Sequence, residues 1–356
     1  MRAPSRRGQA VRGFLEAHSK AMKAVILVLM TTAMVAASEV YLRSFVGLGN
    51  PVLYDSSPLY GFRPQPNQTI KRFRGSTISL NNLGLRTDDD WYGEPDDKVL
   101  FLGDSVTYGG SYIGNTELFS TLAVSRLPGL KAGNAGVNSW GVENIHGLIV
   151  LSEFLPAKTY VTVLVEADFY RGVTRLQGAP YWSVTPSSAW HELLFFALYR
   201  LNNTRYANWR KYASDAHVAR VVSVAASKLA EMDRLLTSGG MRHLVYISPT
   251  RRQADGMSNR DERVLKALRE HGLAPIYIVD RLRSEGIAAA GLYYDSVHLD
   301  RRGHEVWGRL IGADLARELR AETARAERQR RHMPGDIEPA KPLTQNDDRS
   351  IGGCDP

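Results

Sequence analysis

Two short stretches of this chain carry residue types that can perform nucleophilic chemistry. The first is Gly103-Asp104-Ser105-Val106-Thr107-Tyr108-Gly109, which directly follows the apolar run Val99-Leu100-Phe101-Leu102. The second is Asp295-Ser296-Val297-His298, far downstream. A serine hydroxyl becomes a nucleophile only with a base beside it, and the base needs a partner that holds its tautomer and stabilises the imidazolium. Asp and His three residues apart in a turn can place a carboxylate against the far ring nitrogen. Each stretch alone is ambiguous. Gly-Asp-Ser is common in ordinary turns, where Asp and Ser bond nearby backbone, and an isolated Asp-x-x-His also fits a surface histidine.

The elements that must position these residues follow from the hydrophobic pattern. Val99–Leu102, Tyr160–Val165, Leu244–Ile247 and Ile276–Val279 are short apolar runs suited to buried parallel strands. Helical patterns lie between them, around 115–127, 141–155, 215–238, 259–271 and 302–330. Alternating strands and helices predict an α/β fold with a parallel sheet covered on both faces. Such sheets expose their sites at the carboxyl ends of the strands, where Ser105 follows the first run. Gly103 and Gly109 allow tight turns on either side of it. Asp300 has the character of an N-cap for a helix running through Val306, Leu310 and Leu315, so the Asp295–His298 pair falls on a loop just before a helix.

Together the two motifs resemble those of the GDSL/SGNH hydrolase family, over roughly residues 98–320. The lead-in segments Tyr60-Gly61-Phe62-Arg63-Pro64 and Asn82-Leu83-Gly84-Leu85-Arg86 also look like those of exported bacterial members. The resemblance implies a flavodoxin-like three-layer α/β/α sandwich and an acyl-enzyme mechanism on esters. Ser105 would be the nucleophile, His298 the general base and Asp295 its orienting partner, with no metal and no cofactor. In the family's second block a glycine supplies a backbone oxyanion donor. Here the block reads Asn134-Ala135-Gly136-Val137-Asn138-Ser139-Trp140-Gly141, so Ser139 stands at that position, and the expected backbone donors are Ser105 and Ser139. The third block usually reads Gly-x-Asn-Asp, and its Asn side chain is a further donor. Here it is Val165-Glu166-Ala167-Asp168, followed by Phe169-Tyr170-Arg171-Gly172, and Ala167 cannot donate. Asn138 and Asn134 are the nearest substitutes by motif, and Asp104, Asn138 and Asp168 are assigned to the substrate loops. Loss of one such donor costs about 10²–10³ in rate. That leaves two functional readings: a serine esterase or O-acyltransferase acting on acylated cell-envelope carbohydrate, or a catalytically weakened relative that binds glycans.

The charge distribution supplies a location. The chain has 356 residues, is 44% hydrophobic and carries a net charge of +8. Residues 1–23 hold six basic side chains against Glu16 alone, a net +5, and Ala24–Ser38 is uncharged. The remaining +3 is spread over the rest of the chain, so the basic character does not point to nucleic acid, and no basic patch with stacking aromatics accompanies it. A basic flank before an apolar run fits a signal anchor over 24–46, with the N-terminus cytoplasmic and the remainder extracytoplasmic, or a cleaved signal peptide and a secreted product.

Other features receive plainer readings. The lead-in 47–97 is broken by Pro64, Pro66 and Pro95 and is expected to be irregular with brief strands. Residues 173–214 form an aromatic-rich insertion that packs on the core, caps a site or meets the membrane. Residues 321–356 are expected to be a charged, disordered tail. His146, His191, His217 and His243 lack metal-ligand spacing, His304 is expected at the surface or the helix start, and Glu166 is expected to be a loop residue. A single cysteine, Cys354, excludes an intramolecular disulfide framework. The oligomeric state is open.

Overall fold

The computed structural model describes residues 6–72, 75–152, 157–173, 181–203 and 213–332. The chain divides into two units, Met1–Ala313 and Asp314–Pro356. The described part of the second unit is helical.

The first helix, α1 (Arg6–Tyr41), begins inside the basic segment rather than after it, and continues as a π turn over Leu42–Val46. Arg, Ala, Leu and Met propagate a helix readily, so the basic flank imposes no break. Within it, His18–Val46 is long and apolar enough to cross a membrane, and none of its apolar window is buried against the protein. At 1.5 Å per residue, the 20 steps from Lys23 to Arg43 cover about 30 Å, the thickness of a hydrocarbon core.

The lead-in is more regular than its proline content suggests. It forms two antiparallel hairpins, β1 (Tyr54–Ser57) with β2 (Gly61–Pro64), and β3 (Gln68–Lys71) with β4 (Thr77–Leu80). The hairpins bury Tyr54, Phe62, Ile70, Ile78 and Leu80 in the main core.

The α/β unit follows. Its elements are β5 (Lys98–Gly103), α2 (Ser105–Tyr108), α3 (Phe119–Val124), β6 (Lys131–Asn134), α4 (Val142–His146), β7 (Thr159–Leu164), α5 (Ala189–Asn203), α6 (Asp215–Ser238), β8 (Arg242–Ile247), α7 (Arg251–Ala254), α8 (Glu262–Glu270), β9 (Ile276–Tyr277), α9 (Ile278–Ser284) and α10 (Arg301–His332). The five-stranded sheet has the order β6-β5-β7-β8-β9, all parallel. This is the flavodoxin-like order, in which the direction of winding reverses between the first strand and its two neighbours. It fits the α/β sandwich of the SGNH type that the motifs imply.

The register of β5 explains the layers. Every residue of β5 is buried, because a parallel strand is covered on both faces. Leu100 and Leu102 join the core with α4, α6 and α8, while Phe101 packs edge-on against Phe119 of α3 at 6.0 Å. Trp307 of α10 is also fully buried and donates from Nε1 to Ser248 Oγ at 3.1 Å, just past β8.

Several elements differ from expectation. Strand β6 was not anticipated: Lys-Ala-Gly-Asn has no β-branched residue, and it is a strand because it pairs with β5. The run Ile276–Val279 stays extended for two residues only before turning into α9. Residues 321–332, expected to be disordered, complete α10, where alternating Glu, Arg and Ala favour a helix. Residues 333–356, with Cys354, lie outside the described residues, as do Tyr206 and Trp209 of the aromatic insertion.

Candidate active site

The turn that carries Ser105 is built by its neighbours. A Cβ on Gly103 would lie 2.1 Å from Thr107 Oγ1 and 2.3 Å from the Val163 carbonyl, so the close packing of β5, α2 and β7 requires glycine. Asp104 caps α2, its Oδ1 accepting the Val106 N–H at 2.8 Å. Gly109 ends this single turn in the left-handed region, φ 89°, and donates to the Ser105 carbonyl at 2.9 Å. Ser105 is thereby held at the carboxyl edge of the sheet.

The second stretch is a closed loop. Tyr294 N–H donates to the His298 carbonyl at 2.8 Å, and Arg251 N–H to the Ser296 carbonyl at 2.9 Å. Asp300 then caps α10 by accepting the Gly303 N–H at 2.8 Å. The loop brings His298 Nε2 to 2.8 Å from Ser105 Oγ, and His298 Nδ1 to 2.7 Å from Asp295 Oδ2. The other Asp295 oxygen accepts the backbone N–H groups of Val297 and His298, both at 2.8 Å. Burial acts to raise the Asp295 carboxyl, but the His298 and Val297 N–H groups and the imidazole outweigh it and hold the group below the usual carboxylate range. Asp295 therefore stays an anion, and the hydrogen on His298 Nδ1 points to it.

These groups open into a cavity of about 440 Å³, lined among others by Ser105, Asn138, Ser139, Arg171, Arg200 and Tyr294. Ser139 has φ 69°, the left-handed conformation that favours glycine. The serine in the second block has thus adopted a glycine-like backbone conformation at some strain, and it lines the same cavity as Ser105. Asn138 lines the same cavity. Asn134 is not a free donor: its amide is buried and donates to the Thr107 carbonyl at 2.6 Å and to Ser120 Oγ at 3.1 Å.

The third block behaves differently from its motif reading. Ala167 is exposed and does not line the cavity, whereas Arg171, four residues on, does. Its Nη1 donates to Asp104 Oδ2 at 3.0 Å, to Asp168 Oδ1 at 2.5 Å and to the Trp140 carbonyl at 2.8 Å. Burial, and then Asp104, push the Asp168 carboxyl well above its ordinary range despite Arg171. Asp104 and Asp168 are 1% and 0% exposed and brace Arg171 and the Ser105 turn, and neither lines the cavity. The signal for Arg171 was present as an Asp three residues before an Arg, but the motif drew attention to Ala167.

Arg86 ends the second lead-in segment, Asn82–Arg86. Its buried guanidinium donates to the carbonyls of Tyr108 (2.6 Å), Gly110 (2.6 Å) and Ile113 (2.5 Å), and to Asn115 Oδ1 at 3.2 Å. His304, expected at the surface or the helix start, lies in the first turn of α10 and is fully buried: Nδ1 accepts the Phe119 N–H at 3.1 Å and the ring stacks on Phe119. Burial, followed by Arg86 and His298, lowers its pKa to about 3. Glu166 accepts from Gln253 Nε2 and Asp261 N–H, away from the triad. His146 pairs with Glu231, and His243 with Asp233 and Thr162. Among the described residues no cluster of three or more His, Cys, Asp or Glu side chains is arranged to hold a metal.

No protein-family model matches the chain, and no curated protein matches its sequence. Among solved structures, it is similar to a member of the lipolytic G-D-S-L family from Veillonella parvula (13% identity over 60% of this chain and 94% of that one, TM-score 0.35). It is also similar to a lipase/acylhydrolase from Enterococcus faecalis (15%, 61% and 94%, TM-score 0.37) and to an acetyl xylan esterase (15%, 60% and 96%, TM-score 0.36).

Proposed function

We propose that this chain is a serine ester hydrolase or O-acyltransferase of the GDSL/SGNH type that works through an acyl-enzyme. The observation that carries this reading is the continuous chain from Asp295 through His298 to Ser105, with 2.7 and 2.8 Å links, at the carboxyl edge of a flavodoxin-like sheet. His298 Nε2 accepts the Ser105 proton as Oγ attacks the ester carbonyl. The imidazolium that forms is stabilised by the Asp295 anion. The backbone N–H groups of Ser105 and Ser139 serve the developing oxyanion, with Asn138 and the Arg171 charge at the same cavity in place of the missing Asn. His298 then returns the proton to the departing alkoxide. Water or a sugar hydroxyl, deprotonated by His298, attacks the acyl-Ser105 ester and regenerates the serine.

Acylated cell-envelope carbohydrate is the proposed substrate class. It follows from the location: the basic N-terminus stays in the cytoplasm, α1 crosses the membrane, and the catalytic unit faces outward. The competing reading, a glycan binder without turnover, is motivated by Ala167.

Full-length protein in detergent, assayed with an activated short-acyl ester and a fluorophosphonate probe, separates the two. The parent is expected to hydrolyse the ester and take the label, and Ser105→Ala to do neither. Equal hydrolysis by the two proteins refutes the nucleophile, and an unlabelled, inactive parent establishes the binder.

A further inference from the structure

Helix α5 has the wrong polarity for a helix facing water. Trp190, Leu194 and Leu198 recur every four residues and are 37%, 57% and 64% exposed, with Phe195 beside them at 44%. The charged residue of its first turn, Glu192, points the other way. It is 4% exposed and accepts from Gly49 N–H at 2.5 Å and Arg72 Nη2 at 2.7 Å. A surface helix of a soluble domain places apolar residues inward and charge outward. A contiguous exposed apolar stripe marks an interaction surface.

The start of α5 is tied to the end of the candidate span. Glu39, two residues before the end of α1, accepts the N–H groups of Ala189 at 2.8 Å and Trp190 at 3.2 Å. Trp190 Nε1 donates to Ser38 Oγ at 3.0 Å. Glu39 also pairs with Arg43, and Tyr41 stacks on Phe45 at 5.3 Å. Carboxylate, guanidinium and aromatic rings clustered from about 24 to 33 Å beyond Lys23 are the composition of an outer membrane–water interface. The first turn of α5 is therefore pinned at the level where lipid headgroups begin.

We propose that α5 lies in the outer leaflet interface of the bilayer as a second membrane contact, with Trp190, Leu194, Phe195 and Leu198 inserted at the headgroup–acyl boundary. The inference rests on the reading that α1 spans the membrane. It has a consequence for the site, because Arg200 of the same helix lines the Ser105 cavity. The catalytic cleft is held beside the membrane surface rather than swinging free on a tether.

The test uses the full chain in phosphatidylethanolamine–phosphatidylglycerol vesicles, in a Cys354→Ser background. Single cysteines at Leu194→Cys, Leu198→Cys, Leu29→Cys and Met257→Cys carry a nitrobenzoxadiazole label. Met257, 68% exposed, is the control on the folded unit. The expected result is a blue-shifted emission at positions 194 and 198 that lipid nitroxides near the headgroup end quench and aqueous iodide does not, with the reverse at 257. Iodide quenching at 194 and 198 equal to that at 257, with lipid quenching retained at 29, overturns the α5 contact and leaves the span standing. Protection of 194 and 198 from both quenchers overturns it in favour of a protein partner or a second copy. Absence of lipid quenching at 29 removes the span and this inference with it.

Discussion

The Arg86 guanidinium lies 2.6 Å from the carbonyl oxygen of Tyr108, so a residue of the lead-in holds the turn that carries Ser105. The same side chain reaches Gly110, Ile113 and Asn115, and it stacks over the Tyr108 ring at 4.7 Å. Among the described residues no carboxylate hydrogen-bonds to it; carbonyl and amide oxygens replace its water. Burial lowers its pKa from the ordinary arginine value. The lead-in is therefore packed into the α/β unit as part of it and is more than a spacer.

Replacing Arg86 by Met leaves those buried oxygens without donors. Each unsatisfied buried group costs about 1–3 kcal/mol, so the loss should be about 3 kcal/mol or more. Arg86→Lys should recover only part of it, because one ammonium cannot serve four acceptors spread from residue 108 to 115. Denaturant midpoints of the three proteins in detergent measure this, and a parent-like midpoint for the Met variant would refute the role.

Asp295→Asn should leave the fold and ester binding nearly intact while lowering kcat by about 10⁴, because an amide no longer selects the tautomer with hydrogen on Nδ1. Steady-state kinetics on an activated ester read this directly. A loss confined to KM would place Asp295 in binding instead.

Ser139→Gly distinguishes a backbone donor from a side-chain donor. Glycine removes the left-handed strain, worth about 1 kcal/mol in stability, and keeps the N–H. Activity should persist and the melting temperature should rise slightly, whereas Ser139→Val should lower both. A large fall in kcat for the glycine variant would show that the hydroxyl takes part.

His304 predicts an acid-labile fold. Its folded pKa is lowered to about 3 from the ordinary 6.5. Between those values the unfolded chain binds the extra proton, so stability is full above about pH 6.5 and falls as pH drops toward 3. The slope is at most about 1.4 kcal/mol per pH unit for this one group. His304→Asn, which keeps an acceptor near Phe119, should be less stable at pH 7 but show a shallower decline between pH 6.5 and 5 in equilibrium unfolding. Parallel curves for variant and parent would rule His304 out as the cause.

Where signals are local, the sequence was enough. The run Val99–Leu102 could only be a buried strand, and helix α6 matches its expected limits of 215 and 238, with Ser214 capping its start and Gly239 following its end. Asp300 caps α10 as its position before the apolar periodicity implied. The net +5 before residue 24 and the uncharged run behind it are likewise properties of contiguous residues.

Tertiary structure decided what depends on partners distant in the chain. Lys131–Asn134 is a strand because β5 offers it a ladder, and His304 is buried because Phe119 supplies an N–H and a ring. Ser139 has a left-handed backbone that its residue type does not announce. Arg171 faces the cavity because Asp104, Asp168 and the Trp140 carbonyl converge on one of its nitrogens. The outward polarity of α5 is invisible in its composition, since the same apolar residues would suit a buried helix. Residue types and short spacings set the candidate chemistry of Ser105, Asp295 and His298. Which groups surround that chemistry was settled by long-range packing, because burial and hydrogen-bond partners belong to the folded chain and not to any window of it.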